Sequence, residues 1–340
     1  MTKSPRSGSS RRAKRRLVVL SLITSLGAGL LAACQTPTSE GTVVRIGYSA
    51  WPGWFPWAVT EAKGLFGTAG VDAKMQWFDG YLDSINALNA GQLDCNSQTL
   101  NDTISSVAGG ADLQVVLQND YSTGNDQIIV AEGIATVADL KGKKVAAEEG
   151  TVDHYLLLKV LKDNGMSAAD IEFVPLETGA AAAAFAAGQV DAAGVYAPFT
   201  TQALKRPGSR ALTTSADHPG AISDLLVCRR EFVEQNPEAI QKVVNAWFAT
   251  LQLMEDDPAA TLPILVERSG VSEAEFKEYA AGTTIQTLAE NRANFQPGTT
   301  MTSLPFAAEE ISAFLVEVGL AKSTPDLSTL LNSTFVDNAN

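Results

Sequence analysis

Three of the chain's five tryptophans lie in one short segment, SAWPGWFPW, as Trp51, Trp54 and Trp57. Two prolines and a glycine separate them, so we expect an irregular loop rather than a regular element. Aromatic ring faces attract cations, by roughly 0.5–2 kcal/mol each. The segment is therefore a candidate wall of a cation-binding site. The alternative is that the three rings pack locally and hold the loop against its domain.

Acidic and aromatic residues also follow the other predicted strands, in loops that contain no Lys or Arg. Carboxylates accept paired N–H bonds from a guanidinium group, so these residue types favour a small planar cation. Asp and Glu in a first helical turn also complement the helix dipole, and Asp102 and Asp153 have that alternative role. The candidate binding residues are Trp51, Trp54, Trp57, Asp79, Asp102, Glu148, Glu149, Asp153 and Tyr196, with one of the two adjacent glutamates facing the site. The same loops hold Phe78, Tyr81, Asn101, His154 and Asp224.

The elements that must position these residues alternate between strand-like and helix-like patterns. VVRIGYSA, VDAKMQWF, LDCNSQTL and LQVVLQND form one series of predicted strands, and QIIVAE, KKVAAEEG, IEFVPLE and VDAAGVYAP form a second. Helical segments lie between them, among them 136–141, 151–165 and 178–188. This alternation predicts an α/β fold. In such folds ligands bind at the carboxyl ends of the strands.

An internal similarity predicts two lobes. INALNAGQLDCNSQ resembles AAFAAGQVDAAGVY, and Gly91 and Gly188 hold equivalent places where a left-handed helix end suits glycine. A polar crossover at 121–127 and a returning strand, DLLVCRREFV, at 224–233 predict the boundaries. Lobe 1 comprises 42–122 and 225–340 with the C-terminal helices, and lobe 2 comprises 123–224. Two crossovers make a hinge, and the ligand site is expected in the cleft between the lobes.

The N-terminal residues read as an export signal. Residues 1–33 contain seven basic groups followed by a short apolar run ending in LAAC, which predicts a lipoprotein signal peptide and lipidation at Cys34. An ordinary signal peptide cleaved near Ala33 is the alternative. Residues 34–41 would be a tether. The chain would then be exported and lipid-anchored at the cell membrane or in the periplasm.

Charge and cysteine usage narrow the function classes. Without residues 1–33 the chain has 18 basic against 38 acidic groups, a net charge of −20, which argues against nucleic acid as a partner. Two histidines without metal-ligand spacing predict no metal site. Cys95 and Cys228 lie in apolar strand-like runs and are expected to be free buried thiols. One disulfide is the alternative, because an exported chain permits it.

The motifs in combination resemble the solute-binding lipoproteins of ABC importers, of the nitrate/sulfonate/taurine and thiamine-precursor type. The stretches that match are IGYSAWPGWFPWAVTEAKGLF, DLKGKKVAAEEGTVDHYLL, VYAPFTTQAL and DLLVCRREFVEQNPEAIQKVVNAW. The SAWPGW loop and EEGTVDH look closest to the urea-carboxylase-associated, guanidine-related branch. The resemblance implies a two-lobed periplasmic-binding-protein fold, a monomer, ABC permease partners, a membrane anchor through lipid, and no cofactor.

Three functions are weighed on this basis. The first is capture of a guanidinium-like cation for an importer, with an anionic sulfonate or nitrate, or a neutral urea or pyrimidine, as alternative solutes. The second is an enzyme on a similar fold, which is not expected because no Ser/His/Asp or Cys/His arrangement is evident. The third is a lipid-anchored sensor that binds the same solute and signals to another partner.

Overall fold

The computed structural model describes residues 42–340. The predicted signal peptide (1–33), the tether (34–41) and Cys34 lie outside the described residues. Two mixed sheets organise the described part of the chain. Their strands, in chain order, are β1 Val43–Tyr48, β2 Asp72–Trp77, β3 Cys95–Thr99, β4 Leu113–Ser122, β5 Asp126–Val130, β6 Lys144–Ala147, β7 Glu172–Pro175, β8 Ala192–Tyr196, β9 Arg210–Thr214, β10 Ser223–Arg229 and β11 Thr283–Ile285.

Helices connect the strands and form the C-terminal part. They are α1 Pro56–Ala62, α2 Leu65–Ala69, α3 Tyr81–Asn89, α4 Leu100–Ala108, α5 Val152–Asp163, α6 Thr178–Ala186, α7 Phe199–Ala203, α8 Arg230–Gln235, α9 Pro237–Asp256, α10 Pro258–Ser269, α11 Glu273–Ala281, α12 Leu288–Asn294, α13 Leu304–Glu317 and α14 Thr334–Asp337. Short 3₁₀ helices cover Val137–Leu140, Ala168–Asp170 and Ser215–Asp217. Within residues 42–340, no helix is both long enough and apolar enough to cross a bilayer.

The first sheet has the order β11-β4-β10-β3-β1-β2, and the second has the order β7-β6-β8-β5-β9. In the first, β1 runs parallel to β2 and β3, while β10 is antiparallel to both of its neighbours. In the second, β6 runs parallel to β7 and β8, and β5 is antiparallel to β8 and β9. The chain crosses from the first sheet to the second between β4 and β5, and returns between β9 and β10. The two-sheet α/β architecture agrees with the prediction; the residue boundaries of the two lobes stay a prediction.

The internal similarity has a structural counterpart. Gly91 and Gly188 adopt φ of +74° and +75°, so the predicted left-handed helix ends are confirmed. The aspartates that follow also behave alike: Asp94 accepts the backbone N–H of Arg45 at 2.9 Å, and Asp191 accepts that of Lys144 at 2.9 Å. Each aspartate thus ties the start of one strand to the neighbouring parallel strand, and the two sheets repeat one local design.

Three sequence-based expectations are corrected. Cys95 and Cys228 form a disulfide between β3 and β10 instead of remaining free thiols, because the antiparallel register sets them directly opposite each other. The strand predicted over 224–233 ends at Arg229 and continues as α8. The helix predicted at 136–141 is a single 3₁₀ turn over Val137–Leu140.

Candidate functional site

Four aromatic rings form a closed ring of contacts between the two sheets. Trp51 lies 6.4 Å from Trp54 and 6.2 Å from Tyr196, measured between ring centroids. Tyr81 completes the ring at 5.4 Å from Trp54 and 6.3 Å from Tyr196. All four side chains are buried. Three of them belong to the segments around the first sheet and Tyr196 ends β8 of the second, so this aromatic cage needs both sheets to exist.

Two buried carboxylates complete the enclosed space beside the cage, whose volume of about 10 Å³ corresponds to a single water site, so the two sheets must move apart to admit a larger molecule. Asp126 and Asp224 line it with the four rings, together with Thr99, Val152 and Ile222. Asp126 is 2% exposed and Asp224 is 1% exposed, and one oxygen of each, Oδ2, has no hydrogen-bond partner. No Lys, Arg or His lines this cavity within residues 42–340. The cavity therefore presents free acceptors and aromatic faces, without a basic side chain to balance the carboxylates.

Strand register explains why these two aspartates meet. Asp224 is the second residue of β10 and pairs with Thr99 at the end of β3, because the two strands are antiparallel. Asp126 begins β5 and pairs in the same way with Tyr196 at the end of β8. The start of an antiparallel strand lies at the same sheet edge as the carboxyl end of its neighbour. Both sheets thus bring a carboxylate to the edge where ligands bind in α/β folds.

Burial perturbs the pKa of each of these groups. The pKa of Asp126 is raised to about 7, mainly by loss of hydration; a hydrogen bond with Ser122 opposes the rise and the charge of Asp102 adds to it. Burial also raises the pKa of Asp224 well above its usual range, aided by the negative charges of Asp120 and Asp126. Burial disfavours a charged carboxylate unless an opposite charge compensates it. The raised pKa values favour the protonated form of both aspartates relative to an exposed aspartate.

Asp102 supports the cage rather than lining it. Its carboxylate accepts the hydroxyl of Tyr81 at 2.8 Å and that of Thr99 at 2.8 Å. Thr99 caps α4, whose first turn contains Asp102. Burial raises the pKa of Asp102 to about 7, and these two hydroxyl bonds limit the rise. Asp102 thus occupies the helix-start position expected for a dipole-compensating residue and at the same time fixes the Tyr81 ring.

Asp120 holds Trp51 on the other side of the cage. Nε1 of Trp51 donates to Oδ1 of Asp120 at 2.9 Å, and both side chains are buried. The same sheet edge brings Asp120 opposite Asp224, since β4 and β10 pair at these residues. Burial raises the pKa of Asp120 to about 8.

A second cluster of polar side chains, Thr178, Asp153 and Glu148, lies near Tyr196. The hydroxyl of Thr178 lies 2.5 Å from Asp153 Oδ2 and 3.2 Å from Glu148 Oε2, so its single proton can be donated to either carboxylate. Burial raises the pKa of Glu148 to about 7, with a further contribution from the charge of Glu177. Burial likewise raises the pKa of Asp153 well above its usual range. Both residues lie at the end of β6 and the start of α5, where the sequence predicted site residues.

Three predicted residues lie away from this cavity. Trp57 packs into the core, 4.5 Å from Trp247 between ring centroids, and donates to Ser97. Asp79 is exposed and accepts Nε1 of Trp77. Glu149 is exposed, so of the adjacent glutamates Glu148 is the buried one.

Asp120 and Asp126 belong to the site but were not predicted, and Tyr81 and Asp224 were noted only as loop residues. Asp126 could be identified only from its pairing with the VYAP strand, and that pairing is apparent only once the strand directions are known. Asp120 lies within the apolar run LQVVLQND, where an acidic residue near a strand end is itself a signal. No cluster of His, Cys, Asp and Glu suited to a metal ion occurs in residues 42–340.

Comparison with known proteins identifies the fold class and the family of the chain. The described residues have the two-lobed α/β fold of periplasmic binding proteins. The alkanesulfonate-binding protein of Xanthomonas axonopodis pv. citri bound to MOPS superposes with a TM-score of 0.73 at 24% identity, over 87% of this chain and 100% of that one. The chain belongs to the NMT1/THI5-like family, whose model matches residues 51–261. The fold class and this level of family resemblance are thereby confirmed.

Two relatives illustrate the family. A Brucella abortus protein named as a binding protein is 31% identical over 61% of this chain, and the match spans 65% of that protein's length. A protein of Escherichia coli strain K12 named for binding aliphatic sulfonates is 29% identical over 80% of this chain and 86% of its own. The name of the Escherichia coli protein refers to an anionic solute of the kind considered above as an alternative. The narrower guanidine-related branch stays a prediction.

Proposed function

We propose that the chain is the extracytoplasmic solute-binding component of an ABC importer, and that it captures a small guanidinium-like cation between the two sheets. The observation that carries this proposal is the pairing of an aromatic cage with two buried, partly unpartnered carboxylates. Export, a lipid anchor at Cys34, an ABC permease as partner and action as a monomer belong to the same proposal. They are supported by the sequence of residues 1–41 and by the relatives.

Charge complementarity favours a cation. A cation between Asp126 and Asp224 would compensate two carboxylates that otherwise lack a basic neighbour, and each aromatic face would add roughly 0.5–2 kcal/mol. An anion entering the same space would meet like charge from any of these carboxyls that is ionised, in a medium that screens poorly. A cation is therefore favoured to the extent that the carboxyls give up their protons.

The need for hydrogen-bond donors on the ligand restricts the type of cation further. The free Oδ2 atoms of Asp126 and Asp224 require donors if burial is not to leave them unsatisfied. Guanidinium offers planar N–H pairs that match carboxylates, whereas a trimethylammonium group offers none. A planar N–H cation therefore fits these residues better than a methylated one.

An anionic sulfonate is the second candidate, because the Escherichia coli relative is named for such solutes. Within this chain, Nε1 of Trp54 and Nδ2 of Asn119 are buried donors without a partner. Protonated carboxyls with raised pKa values could also donate to an anion. This candidate requires the acidic groups to stay neutral when the solute binds.

Titration calorimetry of the purified protein separates the candidates. Guanidinium, choline, urea, taurine and nitrate are titrated separately, at low concentration and matched ionic strength. We expect guanidinium to bind and Asp224→Asn to weaken its binding by at least about tenfold, which corresponds to loss of one charged hydrogen bond. Asp79→Asn is the matched control, since Asp79 is exposed outside the cavity. Binding of taurine with no response to guanidinium would refute the cation proposal.

A further inference from the structure

Asp120 and Asp224 form a carboxyl pair at the deep end of the site. They are directly opposite on the adjacent antiparallel strands β4 and β10. Asp120 is fully buried and Asp224 is 1% exposed. Asp224 lines the cavity, whereas Asp120 lies behind it and is held by Trp51. Asp224 is therefore placed to contact a bound solute, whereas its partner Asp120 is not.

Within residues 42–340, the main charged groups that act on the pair are acidic. Asp126 on β5 and Asp102 on α4 add negative charge toward Asp224, and Asp126 adds it toward Asp120. The loop that contacts Asp120 contributes the neutral indole of Trp51. Two adjacent buried carboxylates without a counter-charge cannot both be ionised at low cost, and their titration is a property of the pair.

We infer that Asp120 and Asp224 share a proton in the free protein and that a bound cation displaces it, so that solute capture releases a proton to solvent. This inference rests on the proposed capture of a cation. The balance is complete: one positive charge enters the cavity, the proton leaves the carboxyl pair, and no covalent bond to the solute forms. Asp224 then faces the solute as a carboxylate, and Asp120 is a positioning residue that shares the proton.

Because binding exchanges a proton, the pH dependence of affinity should differ between cationic and anionic solutes. While the pair holds its proton, the affinity for a cation should rise about tenfold per pH unit, as linkage requires when one proton is released. An anion that needs neutral carboxyls would show the opposite dependence and would take protons up. The direction of proton exchange thus reports the charge of the solute that the site is built for.

A pH-stat titration measures this exchange directly. Guanidinium chloride is added to the purified protein in unbuffered salt solution at pH 6.5, and the base needed to hold pH is compared with the amount bound, measured by calorimetry. We expect about one proton released per bound cation. Sulfonate and amine buffers are avoided, because either could itself occupy the site.

Asp120→Asn tests the role of the pair. Its amide can donate to Asp224 and removes the like charge, so a larger fraction of Asp224 should be ionised before the cation arrives. We expect proton release to fall to less than about half of the wild-type value while guanidinium still binds. Asp79→Asn, which alters an exposed carboxylate, should leave both quantities unchanged.

The outcomes separate this inference from the proposed function. Guanidinium binding without proton release between pH 6 and 8 would overturn the shared proton and leave cation capture intact. Unaltered proton release in Asp120→Asn would also overturn it. Failure of guanidinium to bind, with taurine binding and proton uptake, would overturn the inference and the proposed cation together.

Discussion

Gly53 and Asp120 pack so closely that a Cβ on Gly53 would lie 1.9 Å from Oδ2 of Asp120. Glycine is thus required at this position of the tryptophan-rich loop because a buried carboxylate occupies the space of a side chain. The loop and β4 can pack this closely only because Gly53 has no Cβ atom. This contact, with the Trp51 hydrogen bond, sets where the Trp51 ring can lie.

Gly53→Ala should therefore displace Asp120 and the loop together. We expect destabilisation of about 1–3 kcal/mol, typical of overpacking, and at least tenfold weaker guanidinium binding. Denaturant unfolding and calorimetric titration measure the two effects. Gly67→Ala is the control, since a Cβ there meets no atom within 4 Å. Normal binding by Gly53→Ala would show that the Asp120 contact does not matter to the site.

Substitution at Trp51 should weaken binding, whereas substitution at Trp57 should affect stability alone. Trp51→Phe keeps a ring but removes the donor to Asp120, so we expect roughly tenfold weaker guanidinium binding, and the unpaired Asp120 oxygen should also lower the free energy of unfolding by about 1–3 kcal/mol. Trp57→Phe should lower the free energy of unfolding by about 1–3 kcal/mol, because Trp57 is fully buried against Trp247, and should leave affinity nearly unchanged. The reverse pattern would mean that the two rings have been assigned the wrong roles.

The ligand-free protein should be less stable at pH 8 than at pH 5. Burial raises the folded-state pKa of Asp126 to about 7 and that of Asp120 to about 8, against an ordinary value of 3.8. The folded state therefore binds more protons than the unfolded state between these values, and stability falls as pH rises through them. Denaturant unfolding across pH 5–8 measures this slope.

Asp126→Asn should reduce that slope, because the variant has one fewer buried group to deprotonate. A conservative change at the exposed Asp79 should not alter it. A free energy of unfolding that stays constant or increases from pH 5 to pH 8 would contradict the raised pKa values.

Removing the disulfide should affect stability and spare binding. The double variant Cys95→Ala/Cys228→Ala should unfold more easily by about 2–5 kcal/mol. Cys95 lies four residues before Thr99 on β3, about 13 Å from the site edge. Guanidinium affinity measured by calorimetry should therefore change less than about twofold. A large loss of affinity in a folded double variant would show that the site depends on this cross-link.

Much of the fold could be predicted because alternating strand and helix patterns are local. The similarity between INALNAGQLDCNSQ and AAFAAGQVDAAGVY also predicted the similar helix ends at Gly91 and Gly188. β11 could not be predicted in the same way. It is three residues long, and it forms only because β4 offers an edge to pair with.

The candidate site was only partly predictable, for reasons visible at particular residues. Trp57 follows Pro56, which begins α1, so it points from a helix into the core rather than from the loop. Asp79 follows β2, the edge strand of its sheet, and thus lies away from the centre where the two sheets meet. Asp126 was missed because its position depends on the antiparallel direction of β5, a long-range property.

The crossover between β4 and β5 joins Asp120 to Asp126 through a few residues, so one short segment both connects the sheets and holds like charges on either side. Bending there would change the separation of these carboxylates, and repulsion between their ionised forms would oppose closure. A bound cation would offset that repulsion. Closure of the two sheets and neutralisation of the carboxylates would then occur together. A partner that recognises the angle between the sheets would therefore respond to the charge of the cavity.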